Sequence, residues 1–326
     1  MADENDDFHA GLLLKRKDKW HEVVGTLESN GHSVPKFFKD AIEHDGFDIF
    51  DNFFFNKNLN TWSFNKKTYS TIESLRDAKI PNYSGVNNNP ELVEENIQSF
   101  LKMGAIRKST EADINSNLFT VNPIDLKIFD SKKPRFLLHF KYNSGYRKVQ
   151  QKLGNIIKEA EALLDINAMK QFDMRHCFLQ YKIRHEFTPA VSFELNDCYY
   201  TFQVCPFGMS QSSIIANTGT ALTLESFSFL HGCFTIGFCD DFLVDDEKDG
   251  GFEQYAEGLG MIFKKSKHRV GQTLEFCGYY WWGYRSVSLV TYLTNPLALL
   301  TFLHPHQSCF PYRPPKQNNQ NQAGNA

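Results

Sequence analysis

The chain has 326 residues, 41% hydrophobic and 22% charged, with 35 Lys and Arg against 38 Asp and Glu for a formal net charge of -3. That length buries a full core in one large domain or two ordinary ones, and the near-neutral charge gives no global basic field, so any nucleic-acid binding must use local patches. Seven cysteines without a C-x-x-C pair argue against a zinc knuckle or disulfide framework, and the acidic start lacks the features of a signal peptide, so an intracellular location, cytoplasm or nucleus, is expected.

Residues 1-84 form a leader that admits a helix around Trp20 to Leu27 but offers no identifiable chemistry. A polar loop at 81-89 introduces the clearest helix. Asn89 can cap it, Pro90 suits its first position, Val93, Ile97, Phe100 and Leu101 recur at helical spacing, and Gly104 stops it. This helix is expected to pack on a sheet. From Leu118 onward, short apolar segments alternate with polar turns, and Lys132-Lys133-Pro134-Arg135 followed by Phe136 to Phe140 predicts a basic hairpin. A second helical run, Leu153 to Leu164, leads to a strand ending at Asp173. Tyr199 to Val204 is strand-like, and Pro206-Phe207-Gly208 makes a turn that opens into a helix.

The stretch from Phe234 to Val244 predicts strand, tight turn, strand, with Asp240 and Asp241 at an exposed hairpin tip. Two-residue hairpin loops favour Asn-Gly or Asp-Gly, so Asp-Asp is a poor choice for the turn alone. Adjacent carboxylates raise each other's pKa, and a divalent cation relieves that repulsion, which suggests a metal site. Alone the signal is weak, because Asp pairs are common surface turns and Asp6-Asp7 and Asp245-Asp246 are two others. Beyond it lie a short helix candidate at Phe252 to Leu259, a Tyr- and Trp-rich run past Gly278, and an apolar segment at 286-303 broken by Asn295-Pro296. No membrane span is expected there, and the Pro-, Asn- and Gln-rich tail from Pro305 should be disordered.

Order is more specific than any single motif. Asp173, the Pro206-Phe207-Gly208 turn, Asp240-Asp241, Lys265-Ser266 and Phe276-Cys277-Gly278 follow one another in a series that resembles the palm of a reverse transcriptase. Upstream, Asn122-Pro123 through Lys132-Lys133-Pro134-Arg135 to Lys141-Tyr142-Asn143 resembles the fingers segment of eukaryotic retroelements. Within that family the wording is most similar to long-terminal-repeat and DIRS-type elements, over residues 85-285, with 286-326 outside it. The implied fold is α+β, a polymerase palm and fingers with an antiparallel palm sheet packed on helices and the thumb largely absent.

The implied activity is RNA-directed DNA polymerisation, the transfer of dNTPs to a primer 3′-hydroxyl on an RNA/DNA template-primer. Such phosphoryl transfer needs charge neutralisation and in-line positioning, and hard cations take carboxylate oxygens. The resemblance implies two Mg²⁺, with Mn²⁺ as a substitute. Asp173 and Asp240 would bridge the ions, Asp241 would support them, and the Met174 backbone carbonyl would contact one. It further implies nucleotide contacts by Lys133 and Arg135 at the triphosphate, Phe178 as a gate against the ribose 2′-hydroxyl, Phe207 and Gly208 beneath the nascent base pair, and Lys265 near the leaving pyrophosphate.

The chain departs from the family pattern at several places. His139 stands for an Asp, Lys141 for an Arg, Ser213 for a Pro and Ala216 for a Phe, while Cys205 takes a Leu position. The interval between Asp241 and Lys265 is short, and the family's thumb has no counterpart after Cys277-Gly278, so a chain truncated after the palm is expected. Two alternatives remain open: a catalytically degenerate remnant that keeps the fold and binds nucleic acid through its basic hairpin, and an unrelated metal-dependent phosphohydrolase. Convergence of the carboxylates of Asp173, Asp240 and Asp241 on one face of a small antiparallel sheet would separate a site from a coincidence.

Overall fold

The structure, a computed structural model, describes residues 8-129, 132-147, 168-233, 235-246, 250-271, 273-276 and 279-282. The predicted helix at Leu153 to Leu164, Cys277-Gly278, the apolar segment and the tail lie outside the described residues. The elements that frame the site are helices α1 (Lys17–Ser29), α2 (Lys36–Glu43), α3 (Pro90–Lys102), α4 (Ser210–His231) and α5 (Phe252–Gly258). The strands are β1 (Ile106–Lys108), β2 (Ile124–Phe129), β3 (Lys132–Leu138), β4 (Met169–Asp173), β5 (Ser192–Leu195), β6 (Cys198–Phe202), β7 (Thr235–Phe238), β8 (Asp241–Asp245) and β9 (Arg269–Gly271).

Four strands form one antiparallel sheet in the order β9-β4-β8-β7. Its two central strands explain its placement of polar and apolar groups. Phe172 lies opposite Phe242 and Asp173 opposite Asp241, so the pleat sends the two rings to one face and the two acids to the other. On the apolar face, Phe172 meets Phe252 of α5 at 5.2 Å between ring centroids and Phe263 at 5.6 Å. Helix α4 packs along β7, where Gly237 permits close approach: a Cβ there would lie 2.4 Å from Leu224 and 2.7 Å from Thr220.

The basic hairpin forms as predicted, β2 pairing with β3, while β6 joins β1 and β5 in a separate three-stranded sheet. Helix α3 lays Val93, Ile97 and Phe100 inward, and Phe100 meets Phe136 and Phe202 edge-on or tilted at 5.4 and 5.9 Å. Asn89 holds the N-cap position, but its side chain does not cap; Nδ2 instead donates to the Gly85 carbonyl at 2.9 Å.

The leader is a structural part of this core. Trp20, Phe38, Phe47 and Phe54 are fully buried, and Phe47 pairs its backbone with the 182-184 segment while its ring lies 6.0 Å from Tyr181. Trp20 Nε1 donates to the carbonyls of Leu13 and Leu259, tying α1 to the C-terminal end of α5. Among the described residues no helix is long and apolar enough to cross a membrane, and five cysteines are free thiols.

Candidate active site

Asp173 ends β4, and the chain returns beside it through the β7–β8 hairpin. Because Phe238 pairs with Asp241, the two turn residues are Cys239 and Asp240, not Asp240 and Asp241. The predicted turn is thus displaced by one position. The strained residue is Cys239, at φ +53°, while Asp241 begins β8 in extended conformation. Helix α4 holds this turn: Thr220 Oγ1 donates to the Cys239 carbonyl at 2.6 Å and the Cys239 N–H to Asn217 Oδ1 at 3.3 Å.

Three acids therefore come together. Asp241 faces Asp173 across the strand pair, and the Met174 N–H donates to the Asp240 carbonyl at 2.6 Å, which locks the turn against the end of β4. Burial raises the Asp240 carboxyl above its ordinary range, aided by the charge on Asp173. The same burial, with the charges of Asp240 and Asp173, pushes Asp241 up to about 6. Burial and the charges of Asp240 and Asp241 hold the Cys239 thiol up at about 12.

Positive charge reaches Asp173 from the 264-267 loop. Lys264 Nζ pairs with one carboxylate oxygen and Lys267 Nζ with the other at 2.6 Å. Lys265, the lysine expected near the leaving group, points elsewhere: it is 72% exposed and lies 3.9 Å from both Glu253 and Glu257. Lys264 and Lys267 are thus functional candidates that motif matching passed over. Their only signal was a basic run whose phase the sequence left open.

The donor set, three carboxylates and a backbone carbonyl, is chemistry that hard divalent cations take. As the side chains stand, ammonium groups hold both oxygens of Asp173. Among the described residues no three or more His, Cys, Asp or Glu side chains are arranged to hold a metal ion. Carboxylate oxygens are the donor type that such cations take, and in this structure both oxygens of Asp173 are paired with lysines.

The predicted aromatic and glycine positions lie together. Phe178 is half-buried with its ring 4.9 Å from that of Phe207. Gly208 has φ +98°, and a Cβ would come within 2.1 Å of the Leu138 carbonyl oxygen, so only glycine fits where the turn crosses β3. Asn143, to which sequence reasoning gave no role, pins this turn: Nδ2 donates to the Gly208 carbonyl at 2.7 Å and Oδ1 accepts from the Ser210 N–H at 2.9 Å, capping α4 from a distance. Arg135 is exposed on the β2–β3 hairpin with its guanidinium 5.7 Å from the Phe129 ring centre, and its described contacts do not include the acids. Lys133 lies on β3, its side chain outside the described residues.

No family model matches the chain, and no curated protein matches it. Solved structures do. A foamy viral protease-reverse transcriptase in complex with RNA/DNA hybrid aligns at 16% identity and a TM-score of 0.49, covering 69% of this chain and 32% of that one. A foamy viral protease-reverse transcriptase dRH in complex with ds DNA aligns at 13% identity and 0.49, covering 81% and 45%. The foamy viral protease-reverse transcriptase in complex with dsDNA aligns at 13% identity and 0.50, covering 88% of this chain and 62% of that one. The chain spans less than two thirds of each of these proteins. At such identity the likeness is one of fold, and the chain has a reverse-transcriptase-like polymerase fold of mixed helices and antiparallel sheets.

Proposed function

We propose that the chain is a retroelement-derived, RNA-directed DNA polymerase that adds dNTPs to a primer 3′-hydroxyl. The observation that carries this reading is the register that sets Asp173 opposite Asp241 on one face of an antiparallel sheet in a polymerase fold, with Asp240 in the adjoining turn. Scattered surface acids have no reason to share a strand register, a part-buried setting and, at Asp240 and Asp241, raised pKa values.

Asp173, Asp240, Asp241 and the Met174 carbonyl would hold two Mg²⁺, or Mn²⁺. When bound, the ions would neutralise the triphosphate and lower the pKa of the attacking hydroxyl. The chain's own residues would position the reactants. Phe178, braced by Phe207, would bar a ribose 2′-hydroxyl, and the Phe207-Gly208 backbone would underlie the new base pair. Arg135 and Lys133 on the hairpin would meet the incoming triphosphate. An RNA/DNA duplex would be the partner, in line with the nucleic acids bound by the foamy viral proteins.

Primer extension on an RNA template with dNTPs and Mg²⁺ tests the proposal. Incorporation that Asp240→Asn abolishes supports it. Salt-sensitive RNA binding without incorporation would identify a degenerate remnant instead, and nucleotide hydrolysis without a primer would identify a phosphohydrolase.

A further inference from the structure

The lysine pair on Asp173 follows from local backbone geometry. Met174 pairs with Phe263, and the Lys264 N–H donates to the Asp173 carbonyl at 2.8 Å, so the loop is laid directly along the end of β4. The chain then makes a single 3₁₀ turn over Lys265–Lys267, with the Lys267 N–H donating to the Lys264 carbonyl at 2.9 Å. Residues three apart in such a turn stack one above the other. Lys264 and Lys267 therefore project together onto Asp173, while Lys265 projects toward Glu253 and Glu257. Each ammonium takes a different oxygen of the carboxylate, so a cation that shares either oxygen lies directly beside an ammonium group.

We propose that Lys264 and Lys267 are built-in counter-ions that compete with divalent cations for Asp173 and so set how tightly the acid cluster takes metal. The inference rests on reading the three acids as a metal-binding polymerase site. The ammonium groups stabilise the acid cluster by neutralising Asp173, and a cation entering there must either displace an ammonium or tolerate two positive charges close by. The competition is reciprocal, because whatever strengthens the lysine pairs weakens the cation and the reverse.

The full chain titrated with Mn²⁺, with free ion followed by electron paramagnetic resonance, tests this without reference to turnover. Lys267 is 55% exposed, so Lys267→Met removes the charge with little effect on packing. That variant should bind Mn²⁺ about 3- to 10-fold more tightly than the parent, and Lys264→Met with Lys267→Met more tightly again. Arg269→Gln serves as a control, since Arg269 is exposed nearby at the start of β9 and removes the same charge without touching Asp173. Tightening by Lys267→Met that Arg269→Gln fails to reproduce supports the ion-pair competition. Equal tightening by both variants overturns it in favour of a diffuse charge effect. Unchanged or weaker Mn²⁺ binding in Lys267→Met also overturns it; if Asp240→Asn still abolishes binding, the polymerase reading stands. Absence of Mn²⁺ binding in every variant overturns both.

Discussion

Asp173 and Asp241 lie opposite each other on adjacent antiparallel strands, one the last residue of β4 and the other the first of β8. Opposed like charges in a sheet are destabilising, and here a third acid, Asp240, adds to them. The fold accepts that cost here, where Lys264 and Lys267 partly offset it. Sites at which a structure tolerates an unfavourable arrangement are those where its chemistry is to be sought.

The cost has a pH signature. Burial and the neighbouring acids push Asp241 up to about 6 from its ordinary 3.8. Between those values the folded chain binds more protons than the unfolded chain, so this group makes stability fall as pH rises through the window. Asp241→Asn should therefore raise stability at neutral pH by about 1–3 kcal/mol and flatten the slope between about pH 4 and 6. Urea denaturation across that range in the presence of a chelator measures both. A variant no more stable than its parent at neutral pH would show that the repulsion is already relieved.

The turn beneath the proposed base pair depends on two residues. At Gly208 a methyl group would meet the Leu138 carbonyl at 2.1 Å in a backbone conformation that suits glycine, so Gly208→Ala should cost about 3 kcal/mol or more. Asn143→Ala removes both the donor to Gly208 and the acceptor for Ser210, and should cost about 1–2 kcal/mol. Asn143→Asp keeps the acceptor for the helix N-terminus and should recover part of that loss. Thermal denaturation of the three variants ranks them, and an Asp variant worse than the Ala variant would contradict the capping role.

What the sequence disclosed and what it hid divide along physical lines. The alternation of Phe172 with Asp173 and of Asp241 with Phe242 is a period-two pattern, legible locally, and the order of motifs supplied the pairing of the two strands. The one-position error at the hairpin arose because turn chemistry alone cannot fix register; the Phe238 to Asp241 pairing, held by α4, does so. Three lysines within four positions gave no indication of which would face the acids, because that depends on the phase of a single 3₁₀ turn. The leader stayed opaque for a different reason. Phe47 is held by the 182-184 segment and Trp20 by Leu259, partners far away along the chain that no local periodicity encodes.

Lys141 is a further case of a residue whose surroundings, not its type, define its role. It is buried, and its ammonium donates to the carbonyls of Arg76 at 2.9 Å and Ala78 at 2.6 Å, joining the leader to the segment after the basic hairpin. Lys141→Met should cost about 1–3 kcal/mol by leaving those carbonyls without their donor. Burial pushes its pKa down to about 8 against 10.5, so above pH 8 the unfolded chain binds more protons than the folded one and stability gains with pH. That alkaline gain should be present in the parent and missing from Lys141→Met in urea titrations, and its presence in both would place its origin elsewhere.

Trp20 offers a test of whether the leader serves the site or only the core. Its indole N–H is shared between the Leu13 carbonyl at 2.8 Å and the Leu259 carbonyl at 3.1 Å, and Leu259 lies at the end of α5, shortly before the lysines that meet Asp173. Trp20→Phe keeps an aromatic ring in the pocket but removes the donor and part of the volume, at a cost of about 2–4 kcal/mol. A loss confined to the core would raise amide hydrogen exchange in α1 alone. If Trp20 anchors the loop, exchange should also rise at Met261, whose N–H is bonded to the Ala256 carbonyl, and at Lys264, whose N–H is bonded to Asp173. Unchanged protection at Met261 and Lys264 in a destabilised Trp20→Phe protein would confine the residue to a packing role, whereas loss of protection there would make the leader a support for the acid cluster.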